Sequence, residues 1–204
     1  VYAGEEFCGF FTFSHENLVP NSDLLIDSDS DNTPDGFLYN RDTTDISLTN
    51  GIAKFTATAK DGSFCRKNTD TYIIGNKYYH YAKVKASNSY VRLYVLNPST
   101  SCYHSGSGTF EHLSFISELT AIRDNIYIMD SSSSDWTPIE VDYMGAINIT
   151  DLVSRGILPS GLTNSQYKDI LDNAIYNNVP LRESDYISVE PSVAYRLIKA
   201  SENS

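Results

Sequence analysis

Cysteine, positive charge and long apolar runs are all scarce in this chain of 204 residues. Cysteine occurs only at Cys8, Cys65 and Cys102, with no C-x-x-C spacing. That excludes a disulfide framework and a cysteine-based zinc site. One bridge or three free thiols remain open, and free thiols are the expectation. Lys and Arg number 15 against 26 Asp and Glu, a formal charge of −11. Nucleic-acid binding needs a basic face that displaces counterions, and anionic lipid attracts basic segments. Neither partner fits this charge. No run approaches the ~18 apolar residues of a membrane-spanning helix, so no membrane insertion is expected. The chain opens on Val1 with no initiator Met, basic leader or apolar signal segment, as a fragment or a processed product would.

Catalytic signatures are absent as well. The four histidines, His15, His80, His104 and His112, form no H-E-x-x-H and no close ligand pair. There is neither a G-x-S-x-G elbow nor a P-loop. Ser105 follows His104 in a Gly/Ser loop, but no third member is marked in sequence. A glycosidase needs two facing carboxylates about 5–9.5 Å apart, and nothing singles out a pair among the acids. The expectation is a protein that is not an enzyme.

What is abundant is short alternating segments. Over 52–60, Ala53, Phe55, Ala57 and Ala59 fall on one face and Lys54, Thr56, Thr58 and Lys60 on the other. Over 78–86, His80, Ala82, Val84 and Ala86 oppose Tyr79, Tyr81, Lys83 and Lys85. Over 90–96, Val91, Leu93 and Val95 oppose Tyr90, Arg92 and Tyr94. Further strands are expected at 109–116, 125–130 and 137–147. Asn50-Gly51, Asp61-Gly62, Gly75-Asn76, Asn97-Pro98 and Gly106-Ser107-Gly108 punctuate them. Many short strands with frequent turns predict an antiparallel β-sandwich or barrel.

After 149 the pattern turns helical. Thr150 to Gly156 reads as a short helix with a capping Thr and a terminating Gly. Thr163 and Gln166 form a capping box, followed by Tyr167, Ile170, Leu171, Ala174 and Ile175 at helical spacing, with Asn178 and Pro180 as the stop. So short a helix must dock on something to persist. A last strand is expected over 193–198. The expected organisation is a connector or strand at 1–15, a sandwich at 16–149, and a helical extension and tail at 150–204.

Two groups of residues carry the functional reading. In the first, Asp27, Asp29, Asp31 and Asp35 stand at relative positions 1, 3, 5 and 9 of a turning loop. Alternate carboxylates of this kind converge oxygens on a hard cation such as calcium, which takes six to eight of them. Position 12 is Leu38, so the bidentate Glu of an EF-hand is missing. A further ligand would come from the backbone or from a distant acid such as Glu140 or Asp142. The alternative is a solvated acidic loop that binds nothing.

The second group is aromatic. The chain has 15 Tyr and 9 Phe against 1 Trp. Tyr offers a large contact area with a hydroxyl handle. By the alternation, Tyr79, Tyr81, Tyr90, Arg92 and Tyr94 leave the core face, and the loop with Tyr103 and His104 rims them. A sugar ring has an apolar C–H face for stacking and an edge of hydroxyls for hydrogen bonds, so these residues are the candidate glycan ligands. The plainer alternative is that cross-strand Tyr pairs merely stabilise the sheet.

Two segments bear a family resemblance. Asn17-Leu18-Val19-Pro20-Asn21-Ser22-Asp23 and then Pro34-Asp35-Gly36-Phe37 resemble the opening of bacterial jelly-roll carbohydrate-binding modules, with Leu24 or Leu25 and Phe37 in place of aromatic and Trp positions. Arg123-Asp124-Asn125, Trp136, Ile139, Val141-Asp142-Tyr143 and Ile147 to Leu152 resemble the end of such modules in phage and prophage tail proteins, although the expected G-N-E-P tetrapeptide is absent. The resemblance implies an all-β jelly-roll sandwich, often with structural calcium, in a virion tail or fibre or otherwise extracellular. It implies a non-enzymatic module recognising bacterial surface carbohydrate. The alternatives are a structural virion component contacting other virion proteins, with a trimeric homo-oligomer as the full-length form, and an ancillary domain of a secreted glycoside hydrolase or adhesin.

Overall fold

The computed structural model describes residues 11–14, 24–40, 42–67, 72–121, 125–176 and 186–189. Its strands are β1 (Phe11–Ser14), β2 (Phe37–Tyr39), β3 (Thr43–Thr49), β4 (Ile52–Ala57), β5 (Gly62–Lys67), β6 (Lys77–Lys85), β7 (Val91–Val95), β8 (Thr100–Tyr103), β9 (Phe110–Glu118), β10 (Asn125–Asp130), β11 (Ile139–Asn148) and β12 (Tyr186–Val189). The helices are α1 (Ile149–Ser154) and α2 (Asn164–Tyr176). Two five-stranded antiparallel sheets form, in the orders β2-β5-β10-β7-β8 and β3-β4-β11-β6-β9; β1 pairs with β12 separately. This is the expected jelly-roll β-sandwich with a short helical extension. None of the described helices is long and apolar enough to cross a membrane.

The period-2 pattern places the core as read from sequence. Ala53, Phe55, Ala57, Val84, Val91, Leu93 and Val95 are buried between the sheets with Phe64, Ile126, Ile128 and Ile139. The Asn50-Gly51 turn takes positive φ at both residues, 52° and 76°, and joins Thr49 to its partner Ile52. Positive φ at both central positions is what a tight two-residue hairpin demands, and Asn-Gly meets it at least steric cost. Strands β2, β3, β5 and β8 were not expected. They are short or irregular in pattern, and β3 carries a register shift between Thr44 and Ser47.

The sheet β3-β4-β11-β6-β9 is covered on its outer side by the helices. Tyr79, Tyr81, Tyr143 and Ile147 pack with Leu152, Leu158, Leu162, Tyr167, Ile170 and Leu171 in a second apolar cluster. A Cβ on Gly145 would lie 2.4 Å from the Tyr81 ring, so only glycine lets that ring lie against β11. Asn148, not Thr150, caps α1 by accepting from the Asp151 N–H at 3.1 Å. The Thr150 hydroxyl instead accepts from the Lys77 N–H at 2.8 Å and ties the helix start to β6. The Thr163–Gln166 capping box forms reciprocally at the start of α2. The expected stop at Asn178 and Pro180, and the strand over 193–198, lie outside the described residues.

Polar groups fix where α2 docks. The Asp172 carboxylate accepts from Tyr79 Oη at 2.6 Å, Ser114 Oγ at 2.6 Å and Lys168 Nζ at 2.5 Å, with His112 Nε2 at 3.3 Å. The other His112 nitrogen lies 3.1 Å from Tyr143 Oη. Burial pushes the Asp172 carboxyl up, but the bonds from His112, Lys168, Ser114 and Tyr79 outweigh it and hold the pKa well below the usual carboxylate range. Burial and the Asp172 charge push the Tyr79 phenol well up, so it stays a donor. Because the folded-state Asp172 value is depressed, its contribution is present above the unfolded value of about 3.9 and is lost as pH falls through the folded value. Asp172→Asn should lower stability at pH 7 and flatten the decline of stability below about pH 4. Urea denaturation across pH checks this; an unaltered acid limb would show that the network does not hold the helix.

Candidate functional site

The outer face of the other sheet is built by strand register. Leu38, Cys65, Tyr127, Tyr94 and Ser101 are successive cross-strand partners from β2 to β8 and form one row. Ser63, Met129, Arg92 and Tyr103 form the next. Side chains alternate sides along a strand, so residues paired in register share a face. The opposite set, Phe64, Leu93, Ile126 and Ile128, fills the core. The rows therefore face away from it, with Ser63, Cys65 and Met129 buried and the β7 and β8 members more open.

Three tyrosines and one arginine dominate this face. The Tyr94 and Tyr127 rings lie 6.0 Å apart, tilted at 44°. The Arg92 guanidinium lies over Tyr94 at 4.7 Å and over Tyr103 at 5.7 Å, and Arg92 Nη1 donates to Tyr103 Oη at 3.2 Å. Arg92 Nη2 approaches Asp61 Oδ1 at 3.6 Å, while Arg92 Nε and Asp61 Oδ1 make no hydrogen bond. Tyr103 is half exposed and Leu38 is exposed at the β2 edge. Ring faces held in place by a planar cation, beside a carboxylate with spare acceptor capacity, offer stacking and polar contacts together.

The sequence-predicted ligands divide three ways. Arg92, Tyr94 and Tyr103 come together here, and Tyr127 joins them. Nothing local marked Tyr127; only the pairing of β10 with β7 brings it to Tyr94. Tyr90 leaves the group for the turn before β7, where it is exposed. Tyr79 and Tyr81 require a correction. They point off the sandwich core as expected, but α1, α2 and the loop between them bury both, at 0% and 1% exposure. They are not accessible to a ligand.

The predicted calcium ligands also divide. Oxygens of Asp27, Asp29 and Asp35 all lie within 4.8 Å of one another. Asp31 turns away to accept from the Thr33 N–H at 2.7 Å, and it is not part of that trio. Asp142 lies on the other sheet, in an ion pair with Lys83 at 2.5 Å, and Glu140 pairs with Lys85 at 3.1 Å. These two acids complete cross-strand pairs between β6 and β11 instead of reaching the loop. The Asp29 carboxyl is held down by the Asp31 N–H, yet repulsion from Asp31 and contacts with Asp27 raise its pKa on balance. Cys65 and Cys102 are free, and burial pushes the Cys65 thiol up to about 12; Cys8 lies outside the described residues.

No protein-family model and no curated protein matches this sequence. Solved structures do match. One is a carbohydrate-binding module, CBM4: 16% identity, TM-score 0.48, covering 64% of this chain and 99% of that one. Two are variants of a family 29 carbohydrate-binding module, each at 15% identity. One has a TM-score of 0.45 with 65% and 89% coverage, the other 0.46 with 67% and 92%.

The Arg92–Tyr94 contact is open to direct measurement. A double-mutant cycle with Arg92→Ala and Tyr94→Ala should return a coupling of about 0.5–1 kcal/mol from urea denaturation. A coupling of zero would mean that the guanidinium does not hold the ring.

Proposed function

We propose that this chain is a non-enzymatic carbohydrate-binding module whose ligand lies on the β10-β7-β8 part of that sheet face. The observation that carries the reading is the alignment of Tyr94, Tyr127 and Tyr103 around Arg92 on one outward sheet face. A sugar stacks its C–H face on such rings. Arg92 and Asp61 then supply a donor and an acceptor to its hydroxyls. Its rings stand on neighbouring strands, which favours a glycan long enough to cross them. The sequence segments described above point to a phage tail or fibre-type protein and a bacterial surface glycan, and both belong to this proposal.

Calcium at the acidic loop is a second part of it. Asp27, Asp29 and Asp35 fit a hard cation by converging carboxylate oxygens, and their mutual repulsion would fall on binding one. The loop precedes β2, so the ion would stiffen the strand that edges the sheet. Its role would be structural.

Titration with soluble oligosaccharides and bacterial cell-wall preparations, with calcium present, tests the glycan reading. Saturable binding is expected, and Tyr94→Ala and Tyr127→Ala should each weaken it at least about tenfold, roughly 1.4 kcal/mol. Failure of the folded chain to bind any of them would move the reading to a structural component whose Tyr- and Arg-rich face meets another protein. The ion has its own test. Calcium at 100 times its Kd should stabilise the chain by about 2.7 kcal/mol, an effect lost in Asp29→Ala. An unchanged melting temperature on adding EDTA would mean that the loop is only acidic.

A further inference from the structure

A cavity among the described residues lies away from the sheet face. It is a cup of about 570 Å³ at one end of the sandwich. Strands β4, β6, β8 and β10 all finish at that end, because antiparallel neighbours alternate direction. The four loops that follow them supply the lining: Lys60 from the first, Asn88 and Tyr90 from the second, Ser105 from the third, and Ser131 to Asp135 from the fourth. The acidic loop precedes β2, at the opposite end of its sheet.

The cup is organised from beneath. Asp130 is fully buried; its carboxylate accepts from Asn88 Nδ2 at 3.0 Å and from the Ser132 N–H at 2.9 Å. One carboxylate therefore fixes two of the four walls. Ser131 closes the seam by donating from Oγ to the Tyr90 carbonyl at 2.8 Å, and the Tyr90 N–H donates to Asn88 Oδ1 at 2.9 Å. The Ser132 hydroxyl is buried at the base of this arrangement and has no hydrogen-bond partner.

The lining also defines the guest. Ser133, Ser134, Ser87 and Ser89 are exposed hydroxyls that both donate and accept. The Tyr90 ring is 58% exposed beside them. Lys60 and Asp135 are the charged residues among the lining described, and the buried Asp130 carboxylate lies beneath them. Hydroxyls, one ring and no net positive charge suit a neutral polyhydroxylated molecule and select against phosphates or carboxylates. The volume is that of a small-molecule pocket, which suits roughly one or two sugar rings. We propose that the loop-end cup is a second binding site, taking a short neutral sugar or the terminus of a glycan. It shares no residue with the sheet face and stands whether or not that face binds.

The test uses the full chain with methyl glycosides of glucose, galactose, mannose and N-acetylglucosamine, read by saturation-transfer NMR and then calorimetry. At least one glycoside should bind. Ser133→Trp fills the cup from an exposed position and should lower affinity at least about tenfold, and Tyr90→Ala should also weaken it. Tyr94→Ala should leave it unchanged, and melting curves confirm that each variant folds. The proposal is overturned if no glycoside binds the folded chain, or if binding survives both Ser133→Trp and Tyr90→Ala. Loss of binding in Tyr94→Ala with retention in Ser133→Trp would also overturn it, while supporting the sheet-face reading. Binding of long oligosaccharides with no binding of glycosides would sink the cup alone.

Discussion

A β-sheet has two faces, and this chain covers part of the second face of one sheet with its own helices. The β3-β4-β11-β6-β9 sheet packs inward on the sandwich core and outward on α1 and α2. The Asp172 carboxylate, reached by Tyr79, Ser114, His112 and Lys168, sets where α2 sits. Beyond the helices, the same outer face is occupied by the Lys83–Asp142 and Lys85–Glu140 pairs, with both lysines over the Phe110 ring. Its residues are engaged with one another. The β2-β5-β10-β7-β8 sheet is left to present aromatic rings outward, and the site follows from that division.

The two candidate sites then differ by geometry more than by residue type. On the sheet, Tyr94, Tyr127 and Tyr103 are spaced by strand pairing, so the group runs across the strands. At the loop end, Tyr90 stands beside serines on short turns held by Asp130, and the surface is concave. Such a group contacts a long ligand along its length; a cup holds a short one or an end. Both place a ring among polar groups. That choice is consistent with a chain whose strong negative charge is carried elsewhere, in the acidic loop and across the surface.

Much of this fold was legible from alternation alone. The segments around Phe55, Val84 and Leu93 showed which residues face inward, and the structure keeps that parity. The helical extension was legible from Thr163 and Gln166, but its partner was not. Period-2 pattern says which side of a strand Tyr79 and Tyr81 take, but not what comes to lie on that side. A docking helix some 90 residues downstream made those tyrosines core, which no local signal near residue 80 reports. Tyr127 was missed for the matching reason: its role depends on β10 pairing with β7, a non-local fact. The acidic loop was legible as a cluster, but the distant acids were assigned to it only by type. Glu140 instead answers Lys85 directly across from it on β6, and Asp142, at the bulge in β11, answers Lys83.

The most direct measurement is a map of amide chemical-shift changes in the isotope-labelled chain as an oligosaccharide that binds it is titrated in. If the sheet face is the glycan site, saturable shifts should cluster on β10, β7 and β8 around Tyr127, Arg92, Tyr94 and Tyr103. Saturable shifts confined to the β3-β4-β11-β6-β9 sheet and its helices, with β7 and β10 silent, would contradict it.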